Sequence, residues 1–356
     1  MARETATFRT LKVGSVATAL MLAAACASTT GPAKATGPGT LTSTATADGP
    51  ATIAQALSSI PDTGWDENFI GFGATARMTA LDGSAQPGLY STYYPLADPL
   101  VDLPGPQGEQ QELPVLGFDP QKAAFSVSVA GGTQQQSATM LFGSFDTTTI
   151  GTTLATTGLT RTGSSAGATT WTYKTSGDAS EFPMTASNDS VPGTIDVSPS
   201  RLVLSPAASP VTALSVPATK PLSQDPTVDA LANCLGPAIT GIIGRIYQQS
   251  DTPGTTPGAL GITPGPNNAT SVEVCVAANN PAAAQAMETR WTTGIRTARD
   301  TGDNLAWSAL LTNPQATTTN QSPYIVRLSA EIAPGADPSH ILDQYLGGPI
   351  STLILP

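Results

Sequence analysis

The residues with the most reactive side chains are few in this chain. It has three cysteines and one histidine among 356 residues. A single histidine excludes multi-histidine metal sites and leaves one imidazole for a Ser-His-Asp or Cys-His arrangement. That residue, His340, lies in the first turn of a helix expected after Asp337-Pro338. We therefore interpret His340 as a solvated residue on a helix surface.

Two acidic segments are candidate cation or acid–base sites. The loop Asp300-Thr301-Gly302-Asp303-Asn304 clusters oxygen ligands of the type that Ca²⁺ prefers, but it lacks the EF-hand spacing and the later bidentate Glu. We interpret it as a turn that ends a helix. Asp62, Asp66 and Glu67 surround Trp65, and we interpret them as a solvated turn before a strand. No metal, cofactor or catalytic residue is predicted.

An aromatic segment is a candidate binding loop. Tyr90, Tyr93 and Tyr94 lie within five residues of one another, beside prolines that prevent a regular element. Aromatic side chains of this kind can stack on a sugar ring or enter a pocket of a partner protein. The alternative is that these tyrosines cover the edge of a hydrophobic core.

The N-terminal segment has the pattern of an export signal. Arg3, Arg9 and Lys12 precede 13 uncharged residues, 13–25, which are too few to span a bilayer. The run Leu22-Ala23-Ala24-Ala25-Cys26 resembles the lipobox of bacterial lipoproteins, although Leu stands one place further upstream than in the usual pattern. The resemblance implies lipidation of Cys26 and removal of residues 1–25. The alternative is an ordinary signal peptide with Cys26 incidental.

The other two cysteines fit the same compartment. Once Cys26 is assigned to lipid, Cys234 and Cys275 remain as a pair in an exported protein, and we predict a disulfide between them. The alternative, a metal or redox site, lacks a C-x-x-C spacing.

Charge and composition exclude several classes. The formal charge is −11, and loss of the leader removes three cations and one anion, which leaves −13. Nucleic acid is therefore a poor partner, because binding to phosphates requires cationic contacts. An acidic protein gains nothing from an anionic membrane surface, so attachment would depend on lipid. Residues 26–50 are rich in Thr, Gly and Pro and are predicted to be a tether.

The remaining chain alternates between strands and capped helices. Strands are predicted at 69–78, 123–130, 137–145, 159–161, 169–175, 259–263, 271–278 and 324–332. Helices are predicted to begin after the N-caps Asp146, Asp225 and Asn280, and after Asp337. Trp171, Trp291 and Trp307 are expected in the core.

These elements predict an α+β fold. Asp146 and Asn280 each lie between a hairpin and a further strand, which predicts two β-β-α-β-like units with mostly antiparallel sheets and helices packed on one face. An internal duplication would account for the repeat. We place a domain boundary in the loop 177–192, which divides the body into 51–192 and a disulfide-containing domain, 193–356.

Export, anchor and tether together resemble those of actinobacterial cell-envelope lipoproteins. These features, with an α+β body and no recognised catalytic constellation, favour a non-catalytic binding or interaction protein, lipid-anchored on the outer face of the cell membrane, with an envelope protein, glycan or lipid as ligand. Two other functions stay open. One is an envelope polysaccharide hydrolase that uses a pair of carboxylates, and the other is a carrier of an apolar ligand.

Overall fold

The structure is a computed structural model in which every described residue belongs to one compact unit, Thr46–Pro356. The described residues are 52–63, 69–82, 116–131, 137–165, 167–173, 193–205, 207–215, 218–247, 255–265, 269–299, 304–319, 321–336, 341 and 350–354. Residues 1–50, with Cys26 and the tether, lie outside these ranges. So do Tyr90, Tyr93, Tyr94 and His340.

One antiparallel sheet organises the described residues. Its twelve strands are β1 (Phe69–Gly73), β2 (Phe125–Ala130), β3 (Ser137–Phe142), β4 (Leu159–Ser165), β5 (Ala168–Tyr173), β6 (Thr194–Val197), β7 (Arg201–Ser205), β8 (Thr240–Tyr247), β9 (Thr255–Pro264), β10 (Thr270–Ala278), β11 (Leu311–Thr318) and β12 (Tyr324–Ile332). Their order is β11-β12-β10-β9-β8-β1-β2-β3-β7-β6-β5-β4. The mixed α+β class with a largely antiparallel sheet is therefore confirmed.

The helices of the described residues are short apart from one. They are α1 (Ile53–Leu57), α2 (Thr75–Asp82), α3 (Thr147–Thr156), α4 (Ala208–Ser215), α5 (Pro226–Leu235), α6 (Pro281–Thr297), α7 (Trp307–Leu310) and α8 (Ser351–Ile354). None of the helices in the described part of the chain combines the length and apolar composition that a bilayer crossing requires.

The predicted N-caps are confirmed. The carboxylate of Asp146 accepts hydrogen bonds from the backbone N–H of Thr148 and Thr149 at the start of α3. Asp225 does the same for α5, and the side-chain oxygen of Asn280 accepts from the N–H of Ala283 in α6. These contacts supply partners to N–H groups that the first helical turn leaves unpaired.

The predicted strand at 69–78 is too long. The strand ends at Gly73, and α2 follows from Thr75. Met78 is buried and Leu81 packs on the same core, three residues apart on one helical face. The apolar spacing in this segment therefore changes from a period of two to a helical one.

Helices lie on both faces of the sheet, which corrects the prediction of one face. Directly paired residues of antiparallel strands point to the same face, and neighbours along a strand point to opposite faces. We call the side of Cys275 face A and the side of Val274 face B. A row of paired residues follows face B across the sheet: Trp171, Ile195, Leu204, Thr139, Ser128, Gly71, Ile242, Leu260 and Val274.

Two helices identify the faces. Cys234 of α5 is bonded to Cys275, so α5 covers face A. Thr318 points to face B, since its row continues through Val326 and Val276, and its hydroxyl donates to Glu288 of α6. Hence α6 covers face B.

The sheet does not break at the proposed domain boundary. Strands β6 and β7 follow residue 192, yet β7 pairs with β3 and β6 pairs with β5. At the centre, β1 pairs with β8 from the other side of the boundary. Strands from both proposed domains therefore alternate within one sheet.

The core has two parts. The larger cluster combines residues from face A with the part of face B under α6, and includes the fully buried Trp291, Trp307 and Phe72. The smaller cluster lies under α3 on face B and includes Ile150, Leu154 and Leu204. Trp171 packs against the smaller cluster but is only partly buried.

Close approach at the centre of the sheet gives a first test. A Cβ at Gly241 would lie 2.2 Å from the carbonyl oxygen of Leu260 and 2.9 Å from Cε1 of Phe72. We expect Gly241→Ala to lower the free energy of unfolding by about 3 kcal/mol, because backbone must move to accommodate it. Urea denaturation measures this value. Gly163→Ala is the matched control, since its nearest neighbour would be 3.8 Å away, and an equal loss there would contradict the explanation.

The predicted disulfide is confirmed and gives a second test. Cys234 and Cys275 are bonded and are 41 residues apart in sequence. In the chain-entropy account, the double variant Cys234→Ala/Cys275→Ala loses about 4 kcal/mol of stability. Urea denaturation with and without reductant measures the loss. Reductant should destabilise the wild type and leave the double variant unchanged, and a shift in the variant would contradict the assignment.

Candidate functional site

A groove on face B is the main candidate site. It runs between α3 and the outer strands β4 and β5 and has a volume of about 510 Å³, within the range of small-molecule sites. We call it the Trp171 groove. Its helix side is formed by Thr147, Thr148, Gly151, Thr152, Ala155 and Thr156.

The strand side of the groove supplies one aromatic ring and one cation. Its residues are Arg161, Thr169, Trp171 and Val197. Arg161 is paired directly with Trp171 across β4 and β5, so both side chains point to the same face. The guanidinium therefore lies on the indole side of the sheet.

A glycine in α3 determines how the helix meets the indole. A Cβ at Gly151 would lie 3.0 Å from Cζ2 of Trp171, which is tighter than ordinary contact. Because Gly151 has no side chain, the helix backbone packs directly on the six-membered part of the indole. The ring is held in place while the side chain remains only partly buried.

Two threonines on the helix side, Thr152 and Thr156, use their hydroxyl protons within the helix. Thr152 donates to the carbonyl of Thr148 at 2.9 Å, and Thr156 donates to that of Thr153 at 2.7 Å. A hydroxyl that donates its proton retains acceptor capacity. Both residues are exposed, so the wall of the groove offers acceptors to a ligand.

The N-cap next to the groove keeps its charge. The Thr149 hydroxyl donates to the Asp146 carboxylate at 2.6 Å, and the backbone N–H of Thr149 and of Thr148 also donate to it. These bonds, led by the hydroxyl, lower the pKa of Asp146 below its ordinary value of 3.8. The Asp146 carboxylate therefore stays ionised down to a lower pH than an ordinary Asp does. Its negative charge lies at the positive end of the helix dipole.

A second cavity, of about 380 Å³, lies beside the N-terminus of α5. Its lining combines apolar residues such as Ile70, Leu231 and Ile243 with Asp62, Asp225 and Arg245. Asp62 forms an ion pair with Lys220, and Asp225 is the α5 cap. Asp62 is therefore a partnered cavity residue rather than part of a solvated turn, while Asp66 and Glu67 lie outside the described residues.

The buried carboxylates do not form a pair. Asp196 is 3% exposed and Glu273 is 5% exposed. Asp196 accepts from Thr170, and Glu273 pairs with Arg327 at 2.9 Å. Their strands, β6 and β10, are seven steps apart in the sheet, roughly 30 Å along it. Each carboxylate therefore satisfies a local partner.

A half-buried arginine, Arg201, belongs to the same region of face A as Asp196. Arg201 donates to the carbonyl of Ser215 at the end of α4, at 3.0 Å. Burial lowers the pKa of Arg201, and Asp196 partly offsets this effect. The guanidinium thus serves as a C-terminal cap for α4.

One motif that resembles a catalytic element has a different setting. Gly163-Ser164-Ser165-Ala166-Gly167 has the G-x-S-x-G spacing of hydrolase nucleophile elbows. Such an elbow joins a strand to a helix, whereas here β4 ends at Ser165 and β5 begins at Ala168. The motif therefore spans the turn of a hairpin.

Sequence patterns did not reveal the groove. Trp171 was expected in the core, and the threonines of α3 gave no signal beyond helix amphipathicity. Asp300, Asp303 and Gly302 of the candidate calcium loop lie outside the described residues. Within those residues, no three His, Cys, Asp or Glu side chains cluster as a metal site would require.

The comparisons with known proteins are few. No family model matches the chain, and no curated protein matches it. A structure of crystal form I of TP0453 is similar at 10% identity and a TM-score of 0.39, covering 84% of this chain and 97% of that one. Crystal form III of TP0453 gives 8% identity and a TM-score of 0.38, covering 82% and 96%. At these TM-scores the similarity carries no argument about function.

The partial exposure of Trp171 gives a third test. The chain has four tryptophans, of which Trp291 and Trp307 are fully buried. In a Trp65→Phe background, we expect acrylamide to quench one exposed emitter, because only Trp171 of the described indoles borders solvent. Trp171→Phe should remove the quenchable emission, and Trp291→Phe, the matched control, should keep it. Quenching that survives Trp171→Phe would contradict an open groove.

Proposed function

We propose that this protein is a lipid-anchored, extracytoplasmic binding protein of the cell envelope, and that the Trp171 groove is its ligand site. The observation that carries the proposal is the partly buried indole in an open groove on a rigid sheet. A large aromatic side chain that is fixed on one side and borders solvent on another is a typical binding platform. Its placement on regular elements provides the preorganisation that binding sites need.

The location on the membrane is supported by the N-terminal sequence. The basic leader, the run 13–25 and the lipobox-like segment before Cys26 favour export followed by lipidation. An acidic mature chain would not be held by anionic lipids, so two acyl chains on Cys26 would supply the attachment. Residues 27–50 would hold the body away from the bilayer.

The two other functions receive less support. A glycosidase needs two carboxylates at a defined separation, whereas the buried Asp196 and Glu273 each have a separate partner on distant strands. Asp62 and Asp225 line one cavity, but Lys220 engages the first and the N-cap of α5 engages the second. A carrier of an apolar ligand needs an enclosed apolar cavity. The cavity near α5 contains Asp62, Asp225 and Arg245 in its lining, and the Trp171 groove is open.

We also propose that the two predicted β-β-α-β units derive from one ancestral unit. The order β2-β3-α3-β4 resembles β9-β10-α6-α7-β11, in which the short α7 follows the main helix, and β4 and β11 occupy the two edges of the sheet. The predicted second unit instead ended at the strand 324–332, which is β12. The antiparallel pair β1 and β8 lies between the two series. The candidate loop with Tyr90, Tyr93 and Tyr94 lies between α2 and β2 in the sequence, outside the described residues, and its binding role remains a prediction.

The anchor gives a fourth test. We expect Cys26→Ser to move the protein from the membrane fraction to the soluble extracytoplasmic fraction, because the acyl chains would be absent. Carbonate washing followed by immunoblotting measures the distribution, and Ser28→Ala is the matched control. Retention of the Cys26→Ser protein in washed membranes would contradict lipid anchoring.

A further inference from the structure

We infer that the Trp171 groove binds a saccharide, which stacks on the indole and hydrogen-bonds to the threonine wall. This inference rests on the proposed binding function and adds the class of ligand. It depends on three features of the groove: the short helix α3 beside it, the geometry of Trp171, and the polar groups around the ring.

The elements β9, β10, α6 and β11 repeat the arrangement around α3 with a longer helix. Both α3 and α6 follow a hairpin and precede an edge strand. Helix α3 has 10 residues and α6 has 17, or about 15 Å and 25 Å of helix. The longer helix packs over its outer strands, and its Trp291 is fully buried. The shorter α3 leaves the edge of face B uncovered beside Trp171.

The indole is a rigid platform rather than an adaptable one. Gly151 lets the α3 backbone pack on one part of the ring, with 3.0 Å between the position of a Cβ and Cζ2. A ring that is already ordered loses little conformational entropy when a ligand stacks on it. The apolar face of a sugar ring suits such a surface, since an indole combines an apolar body with a polar edge.

The polar groups around the indole match hydroxyl groups of a ligand. The oxygens of Thr152 and Thr156 accept hydrogen bonds, because their protons are donated to the helix backbone. Arg161 is opposite Trp171 in the strand pair and supplies donors only. Sugar hydroxyls both donate and accept, so they can use both sides of the groove.

Charge narrows the class of saccharide. The described residues that line the groove include one cation, Arg161, and no carboxylate. In a chain with a formal charge of −11, this is a local departure from the overall balance. The Asp146 carboxylate at the neighbouring N-cap adds one negative charge beside the groove, so recognition of an acidic sugar would depend on Arg161, whose guanidinium can form a bidentate contact with a carboxylate.

The test is a binding titration of the full chain with defined oligosaccharides, half of them neutral and half carrying a carboxylate. Calorimetry and tryptophan fluorescence report binding. We expect at least one member to bind, with Ala155→Leu weakening its affinity by about tenfold, because the leucine side chain would narrow the groove. Arg161→Ala should weaken acidic members by about fivefold more than neutral ones if an acidic sugar is the ligand.

Matched variants separate binding from stability. Ala282→Leu adds the same side chain at an exposed position of α6, and Arg296→Ala removes an exposed cation there. Both should bind like the wild type. Urea midpoints of Ala155→Leu and Ala282→Leu should agree. Trp171→Phe replaces the indole with a smaller ring. Any change in the fluorescence of Trp171 on ligand binding should therefore disappear in this variant.

The outcomes distinguish the two proposals. Absence of binding across the whole panel, or wild-type affinity in Ala155→Leu, would overturn the saccharide assignment. The same titration with an extended peptide library is the second arm. Peptide binding that Ala155→Leu abolishes would overturn the saccharide and retain a binding site in the groove. Failure of both arms would overturn the proposed function of the groove as well.

Discussion

The pairing of β1 with β8 is the constraint on which the rest of the sheet depends. Five residues of β1 connect the strands on either side, and all five have partners in both β2 and β8. The hydroxyl of Thr240 donates to the carbonyl of Phe72 at 2.9 Å, across 168 residues of sequence. Such a distant contact carries a high loop-closure cost, so burial of the central strands must offset it. Ile70 and Phe72 are accordingly buried on face A, opposite Ile243 and Gly241.

Placement of helices on both faces follows from this open sheet. A twelve-stranded sheet with one bare face would expose a large apolar surface, as the apolar residues at both ends of the row from Trp171 to Val274 show. Helix α5 covers face A and is linked there by the Cys234–Cys275 disulfide, while α3 and α6 cover the two ends of face B. Coverage of face B is unequal because α3 is seven residues shorter than α6. The Trp171 groove is the consequence of that difference.

Both edges of the sheet carry features that oppose edge-to-edge pairing. The register of β4 shifts between Arg161 and Gly163, and that of β11 shifts between Thr312 and Gln315. In β11 the irregularity includes Asn313, with φ of 51°, and Pro314, which has no N–H to donate. Bulges and prolines disturb the row of hydrogen-bonding groups that another strand would need. A site at the β4 edge is therefore better suited to side-chain recognition than to addition of a strand.

The sequence alone determined what depends on neighbouring residues. The caps Asp146, Asp225 and Asn280, the strand at 324–332 and the pairing of two remaining cysteines were predictable, because capping, alternation and cysteine count are local or compositional. The tertiary structure decided the central place of β1, the two-sided helix packing and the half-covered Trp171. Each of these depends on which strand lies next to which and on the length of sheet that a helix covers. Residues of β1 and β8, more than a hundred positions apart, make the first of these choices, and no local period in the sequence records any of the three.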